Sequence, residues 1–523
     1  MTIIKQSYDV IIVGAGPCGA TAANMLGQSG ISTLVIDKEA DIVNIPRAVG
    51  MCEGGSRIMD TIDILDDSDL DFRQINSVHF TNKNQKSVFH ADLYEPEDGH
   101  RLLRTFHQPD LEKSLRKSLK SYQCVDLATS TELLEFNDHG TGVSLKIKRG
   151  GEISQVEGRY LLACDGASSP IRSKLDIGFT GATYPQQWMI LDVENNPQHS
   201  SEVVFGIDPE RPSVTLPGPG NKRRWEFVVK KDDNPDELFE PQNLAKLLGS
   251  WGNVEDMEVS RKAVYTFHAR TASKYQQGNI FLLGDSAHIT PPFAGQGMMA
   301  GLRDAQNLCW KITAVINKEL SPSVLDSYQV ERIPQSRQVI KFAQHMGNVI
   351  LPQNPLVAKI RDGVIKVLGW LGLHSETKGA PLDKIPNHIN GAYIKHFLIG
   401  KLFKTGFELP QHLLTKDDKE ILADKLIGEN FCLLGWDVNP EEHLDAKTLA
   451  RWKSMAGKKA IFTGNQLAAQ SALVNKSEEY KRLFAGGKRV LVVRPDKMMV
   501  INCTLRSLNR KLNKYMDKVG CTI

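Results

Sequence analysis

Glycine and aspartate recur in this chain in patterns that could hold the phosphates and hydroxyls of a ligand. Gly14-Ala15-Gly16-Pro17-Cys18-Gly19 has the GxGxxG spacing, and Asp37 follows downstream. In such a turn the first glycine allows a tight bend, the second lets the backbone approach a pyrophosphate, and the third lets the helix sit close to the strand. A carboxylate about twenty residues on can accept ribose hydroxyls. Asp165-Gly166 ends a later apolar run, although Asp-Gly alone reads most simply as a turn. Gly284-Asp285 ends another and is suited to hold a polyol hydroxyl. Gly295-Gln296-Gly297 precedes a helical stretch whose positive N-terminus favours a partly anionic oxygen.

The elements that must position these residues can be read from periodicity. Residues 8–13 are a short β-branched run, the pattern of a strand buried on both faces. Residues 20–26 are small enough for a closely packed helix, and residues 32–36 form a second strand ending at Asp37. Strand, turn, helix, strand and acid in register define a dinucleotide site. FAD and NAD(H) share the adenosine diphosphate half, so this motif leaves the cofactor open. Beyond Gly297, Leu302, Ala305, Leu308, Cys309, Ile312 and Val315 recur at helical spacing, and Gln108-Pro109 opens another helix. Short alternating stretches at 77–81, 87–91, 188–193, 224–229 and 263–268 predict antiparallel strands. They would form a second, β-rich domain interleaved with the nucleotide fold, its sheet walling off a pocket over the cofactor.

After helices from 326 to about 372 and a turn-rich linker, strand-like runs at 431–435, 459–462 and 489–496 predict a small α/β domain. Its basic, amphipathic tail at 506–518 reads as a docked or solvated helix rather than a nucleic-acid arm. With 64 basic and 61 acidic residues among 523, charge gives no reason to expect nucleic acid or an anionic membrane, and the partner is expected to be small. Residues 1–6 reach the first strand too soon for a signal peptide, and no apolar run reaches the length of about eighteen residues that a membrane span needs. Eight cysteines are scattered without a CxxC pair or metal-ligand spacing, which favours reduced thiols, a cytoplasmic location and no metal. Cys18 lies where a helix terminus could lower a thiol pKa, though any small residue would serve there.

The glycine and aspartate turns resemble, in order and spacing, those of the class A flavoprotein monooxygenases, the aromatic hydroxylase family. The whole chain is similar to the three-domain branch of 3-(3-hydroxyphenyl)propionate, phenol and polyketide hydroxylases. Pro46-Arg47-Ala48-Val49-Gly50, Tyr265-Thr266-Phe267-His268-Ala269-Arg270, Pro292-Phe293-Ala294-Gly295-Gln296-Gly297, Gly301-Leu302-Arg303-Asp304-Ala305 and Val493-Arg494-Pro495-Asp496 most resemble the first of these. The fold this implies is α/β. A Rossmann-type FAD-binding domain (1–75, 107–177 and 269–375) is interleaved with a β-rich substrate domain (76–106 and 178–268), as in p-hydroxybenzoate hydroxylase. A linker (376–397) and a thioredoxin-like domain lacking CxxC (398–523) follow, the latter usually an assembly surface that a homodimer could use.

The resemblance also implies a site. Gly14, Ala15, Gly16, Pro17, Cys18, Gly19, Asp37 and Lys38 would hold the ADP half of FAD. Arg47 and Gln108 would contact the flavin or its phosphates, Asp165 the pyrophosphate region, and Gly284 and Asp285 the ribityl chain. Pro292, Gly295, Gln296, Gly297, Met298 and Met299 would line the ring. Many relatives have Asn at the position of Met299, which leaves only the backbone N–H as donor there. The implied reaction uses NADH or NADPH, for which there is no second GxGxxG domain, and O2 to form a flavin C4a-hydroperoxide that hydroxylates a phenol at an ortho carbon. His79, Tyr184, Tyr265 and His268 could act as the base, each having packing as its simpler role; His288 more simply fixes the loop after Asp285. Two alternatives stay open: a tailoring monooxygenase of a larger polycyclic or polyketide aromatic, and a non-catalytic FAD-binding scaffold.

Overall fold

A computed structural model describes residues 3–93, 99–100, 102–196, 200–251, 254–352, 354–370, 405–416, 419–463, 473–474, 477–485 and 489–521. The expected linker at 376–397 lies outside them. Ser7–Val13 is central in the first sheet because its apolar side chains are covered on both faces. Parallel neighbours flank it in the order Ile280–Leu282, Glu152–Ala163, Ser7–Val13, Thr33–Ile36, Val125–Ala128. Val143–Arg149 and Thr131–Asp138 extend the sheet as antiparallel strands off Glu152–Ala163. Helices Pro17–Gln28 and Gly297–Ile316 pack against each other beside it, the latter burying Leu302, Ala305, Leu308, Cys309, Ile312 and Val315 as its spacing predicts.

The second sheet has eight strands. Its order is His288–Ile289, Val259–Ala272, Phe179–Val193, Arg223–Val228, Ser213–Pro217, Glu202–Gly206, Ser77–Thr81, Ser87–Asp92. Two long strands dominate it. Val259–Ala272 runs through the expected domain boundary at 268/269, and Phe179–Val193 pairs along it with an irregularity between Thr183 and Gln187. Leu103–Phe106, placed by the sequence in this β-rich part, instead pairs with Gly50–Cys52 and Phe72–Gln74 in a separate three-stranded sheet. Apolar clusters cover both faces of the large sheet. Met189, Leu191, Val193, Trp225 and Phe227 pack under helix Pro241–Leu248, while Trp188, Val214, Val228 and Phe80 pack with Phe293 and Ile350.

In the last part of the chain the sheet order is Lys419–Leu422, Leu413–Lys416, Leu473–Val474, Lys458–Thr463, Cys432–Trp436, Arg489–Val493, Met499–Thr504. Cys432–Trp436 is parallel to Lys458–Thr463 and antiparallel to Arg489–Val493. The tail is the docked helix Leu508–Val519, burying Leu508, Leu512, Tyr515, Met516 and Val519. The domain adheres through apolar contacts such as Trp310 on Phe431, ring centroids 5.4 Å apart, and through the buried Arg57–Asp424 and Arg494–Glu331 ion pairs. Among the described residues no helix is long and apolar enough to cross a membrane.

Candidate active site

Register brings the sequence motifs into one row. Ile36, Val13, Ala163 and Leu282 are side by side across four parallel strands, so the turns carrying Asp37, Gly14–Gly19, Asp165 and Gly284–Asp285 adjoin at the carboxyl edge. Ligands of open α/β sheets bind at that edge. A hollow of about 490 Å³ at the opposite, amino edge is lined by Ser7, Asp9, His139 and Arg159 and contains none of these turns.

The three fingerprint glycines differ in what requires them. Gly14 has φ +103°, and a Cβ there would stand 2.3 Å from the Cys164 carbonyl oxygen; one on Gly19 would stand 1.9 Å from the Gly14 oxygen. Chain packing therefore fixes both. A Cβ on Gly16 would meet nothing within 4 Å, so the smallness of that residue leaves space for something outside the chain. Asp37 is tied into the same turn: its carboxylate accepts the Ala15 N–H at 2.7 Å, and Arg116 donates to the Ala15 carbonyl at 3.0 Å. Lys38 is largely exposed and lies 3.9 Å from Glu39.

Asp165 accepts the Ile171 N–H at 3.2 Å through one oxygen, while its other oxygen is buried without a partner among the described residues. Burial pushes its pKa up against the opposing effects of Ser169 and Arg172. A buried lone acceptor is costly unless a ligand satisfies it. Asp285 is reached by solvent, yet desolvation raises its pKa while the charges of His288 and Arg47 oppose the rise, as expected for a carboxyl on a cleft wall. Arg47 follows a loop fixed from both sides. Gln108 accepts the Arg47 and Ala48 N–H groups at 3.0 and 2.6 Å and donates to Glu112 at 2.8 Å. Gln108 therefore positions the loop that carries Arg47.

The helix-terminal motif acts through its backbone. Gly297–Ile316 begins after the left-handed Gly295 and its N-cap Gln296, leaving first-turn N–H groups for a ligand. Side chains expected at the cofactor turn elsewhere. Gln296 is buried and accepts from Arg303 at 3.0 Å, Met298 packs against the core, and the Met299 sulfur sits 2.2 Å from where a Cβ on Gly55 would be. Cys18 donates to the Gly301 carbonyl at 3.2 Å. Its neighbour Cys164 and burial hold its thiol well above the usual pKa, the reverse of the lowering a helix terminus could give.

Behind the turns lies a network that sequence reading assigned only to His288. Asp304 accepts from His288 at 2.7 Å, Arg332 at 2.7 Å and the Gly284 N–H at 3.0 Å. Burial alone would raise the Asp304 pKa, but the charges of His288 and Arg332 outweigh it and the net shift is downward. The network fixes the Gly284–Asp285 turn against the long helix. The Gly301–Ala305 motif contained the signal for Asp304; nothing in the sequence marked Arg332.

The large sheet closes the other side. Phe293, in the turn before Gly295, packs its ring 5.6 Å from Tyr184, 5.7 Å from Trp188 and 5.8 Å from Phe267. Arg224 binds Asp192 through two nitrogens at 2.6 and 2.8 Å and donates to the Pro46 and Arg47 carbonyls at 2.7 and 3.2 Å. Arg261 donates to the Pro46 carbonyl at 2.7 Å and to the Tyr265 hydroxyl. Of the four proposed bases, Tyr184 and Tyr265 therefore face the flavin-binding turns. His79 and His268 do not, because alternation turns each away from Phe80 or Phe267 on the packed face. His79 bonds Ser77 at 2.9 Å and His268 bonds Thr183 at 3.0 Å.

An open space at Gly16, an unsatisfied Asp165 oxygen, Asp285 on the cleft wall and a free helix N-terminus fit a dinucleotide with a charged ring system, FAD. The family described as FAD binding domain matches residues 7–343, and the HcaD C-terminal domain matches residues 406–518. The chain is 31% identical over 540 residues to the 3-(3-hydroxy-phenyl)propionate/3-hydroxycinnamic acid hydroxylase of Escherichia coli (strain K12), covering 99% of this chain and 96% of that protein. It is 30% identical over 536 residues to the protein of that name from Klebsiella pneumoniae (strain 342), covering 99% and 95%. Among solved structures, the flavin-dependent monooxygenase PieE in complex with FAD and substrate superposes with a TM-score of 0.81 at 18% identity, covering 98% of this chain and 99% of that one. Aklavinone-11 hydroxylase with FAD and aklavinone gives 0.76 at 18% identity, covering 98% and 100%; both likenesses speak to fold. The chain belongs to the FAD-binding flavoprotein monooxygenase family. It is an FAD-dependent aromatic hydroxylase, with NADH or NADPH as the co-substrate typical of that family.

Proposed function

We propose that the protein hydroxylates a single-ring phenol bearing an acidic side chain, of the 3-(3-hydroxyphenyl)propionate type, at a carbon ortho to the hydroxyl. The observation that carries this is the shape and charge of the wall opposite the flavin-binding turns. Tyr184 and Phe267, backed by the buried Trp188 and Phe293, offer an aromatic floor, and the cations Arg224 and Arg261 stand on the same face with the carboxylates of Asp192 and Glu226. That combination suits an aromatic acid. Relatives named as hydroxylases of such acids, matching almost the whole chain, support the same reading.

Gly14, Gly16, Gly19 and Asp37 would hold the ADP half of FAD, Asp165 and Asp285 its central hydroxyl and phosphate region, and backbone N–H groups from Gly297 onward the ring. FAD bound there would supply the hydride-accepting and oxygen-activating chemistry, with NADH or NADPH as reductant. The chain's own part is positional and electrostatic. Arg224 and Arg261 fasten the Pro46–Arg47 loop to the substrate sheet, so flavin side and substrate side are held as one wall. The first turn of Gly297–Ile316 and Arg47 favour negative charge on the ring, and the aromatic floor excludes water from the reacting carbon.

For the last domain we propose a thioredoxin-like fold used for assembly. Its core order Lys458–Thr463, Cys432–Trp436, Arg489–Val493, Met499–Thr504, with mixed parallel and antiparallel pairing, supports this, as does burial of Cys432 and Cys503 without a neighbouring thiol. A homodimer through this domain is checked by light scattering. We propose the interleaved flavin and substrate domains as the sequence divides them, except that residues 103–106 leave the substrate sheet and residues 269–272 continue it. The hydroxylase reading is tested by mixing yellow protein with NADH or NADPH, oxygen and a panel of phenols: 3-(3-hydroxyphenyl)propionate should accelerate flavin reduction and yield a catechol. If no phenol does either, the reading fails.

A further inference from the structure

The face of the large sheet that meets the flavin-binding turns carries a carboxylate that the sequence did not single out. Glu226 lies in Arg223–Val228, between Ile190 of one neighbouring strand and Val214 of the other, both buried. Alternation puts it on the same face as Arg224 and Val228. It therefore stands between the Arg224–Asp192–Arg261 cluster, which grips the Pro46–Arg47 loop, and Trp188 with Phe293, which precede Gly295–Gly297. Both flanks are segments that border the ring site.

Among the described residues no hydrogen bond or ion pair engages the Glu226 carboxylate, while Asp192 is taken by both arginines. The residue keeps more access to solvent than the buried Ile190, Val214 and Arg224 beside it, on the face of the sheet turned toward Phe293 and the Pro46–Arg47 loop. Desolvation pushes its pKa up; Arg224 and Arg261 pull it down, and Asp192 adds to the rise. Arg224 faces it from its own strand, Asp192 from the neighbouring one, and Arg261 with the Tyr265 hydroxyl from the strand beyond. A desolvated acid with no hydrogen-bond partner of its own fits a ligand's donor.

Resting on the hydroxylase reading above, we propose that Glu226 is the base that receives the phenolic proton of the substrate. The phenol O–H bond breaks, the proton goes to a Glu226 oxygen, and the bonding pair stays on the phenolate oxygen, enriching the ortho carbon at which oxygen is delivered. No electrons leave either group in this step. Two arginines against Asp192 leave positive charge beside the phenolate as it forms. A carboxyl whose proton affinity is raised toward the working pH is better matched to this transfer than a solvated one.

The test compares flavin-loaded wild-type protein with Glu226→Gln and Glu226→Asp. A nitrophenol whose colour reports ionisation is the binding probe, and hydroxylation of 3-(3-hydroxyphenyl)propionate is followed against pH. In the Gln variant, hydroxylation should fall about 10²- to 10⁴-fold, the usual contribution of a general base. The bound probe should ionise only at higher pH than in wild type, and the Asp variant should recover part of both. A Gln variant with wild-type rate and probe ionisation overturns the proposal and leaves the hydroxylase reading standing. If that variant does not fold, the Asp variant decides: an unchanged pH profile overturns the proposal. A wild-type protein that hydroxylates no phenol overturns both.

Discussion

Two desolvated glutamates show how differently this molecule treats buried charge. Glu331, where the flavin domain meets the last domain, accepts from Arg494 at 2.8 and 3.1 Å, Lys311 at 3.1 Å and Asn307 at 2.7 Å. Arg494 is in turn bound by Asp496 at 2.9 Å. Glu226, on the cleft face of the large sheet, has cations in electrostatic range and no direct partner among the described residues. The first arrangement is closed and holds two domains together. The second is open, which suits a group whose partner arrives with the substrate.

The contrast predicts opposite responses to the same substitution. Glu331→Gln leaves Arg494 and Lys311 buried beside a neutral side chain, a change that should cost about 3–5 kcal/mol and lower the thermal unfolding midpoint by several degrees. Glu226→Gln removes a desolvated charge that no hydrogen bond or ion pair holds and that only the fields of Arg224 and Arg261 favour, so its midpoint should stay near the wild-type value while hydroxylation falls. Equal destabilisation by both would erase the distinction.

Titration sharpens it. Burial would raise the Glu331 pKa, but Arg494 and Lys311 bring it down to about 2 from the ordinary 4.5. A depressed carboxylate pKa means the unfolded chain binds the proton more readily. The stability this group contributes is thus fully present above pH 4.5 and lost as pH falls toward 2. Lys311 moves the other way for a cation: burial and Arg494 lower its pKa to about 8, against the pull of Glu331. Stability should therefore rise between pH 8 and 10.5, as the folded chain is relieved of a buried positive charge. Unfolding midpoints measured across both windows check this, and Glu331→Gln should flatten the acid limb.

The glycine turns form a second contrast at smaller scale. Gly19→Ala drives a methyl into the Gly14 carbonyl, an overpacking that should cost about 1–3 kcal/mol of stability. Gly16→Ala meets no atom of the chain, so the apoprotein should unfold as before while flavin affinity drops about tenfold or more, equivalent to at least 1.4 kcal/mol. Fluorescence titration with FAD separates the two. If Gly16→Ala binds FAD normally, the open space beside it is not where the pyrophosphate lies.

These contrasts also explain what the sequence could and could not reveal. Backbone requirements leave local marks: a glycine with φ +103° at residue 14, β-branched runs for buried strands, and a helical stripe after Gly297. The row of turns was legible for that reason, because each sits at the end of a recognisable strand. Arg332, Arg224 and Glu226 left no such mark. Arg332 meets Asp304 across 28 positions, and Arg224 reaches Pro46 across 178. Glu226 acquires its setting only when strands bearing Ile190 and Val214 flank it. Side-chain roles of this kind arise from register, which a single sequence does not display. The same limit applies to the candidate bases: type and position nominate His79, Tyr184, Tyr265 and His268 alike, and only register separates them, a period of two putting His79 and His268 on the face opposite Phe80 and Phe267.

That separation yields the smallest expected effect. His79 is occupied by Ser77 and stands 3.5 Å from Glu202, and His268 is occupied by Thr183, all away from the aromatic floor. His79→Ala and His268→Ala, at half-buried positions away from that floor, should each leave hydroxylation within about twofold of wild type and cost no more than about 1 kcal/mol of stability. Tyr265→Phe is the informative neighbour, since it removes a hydroxyl that accepts from Arg261 on the cleft face. Its effect should lie between those of the histidines and of Glu226→Gln. A loss at either histidine as large as that at Glu226 would mean that the face opposite Phe267 and Phe80, rather than their own, borders the reacting ring.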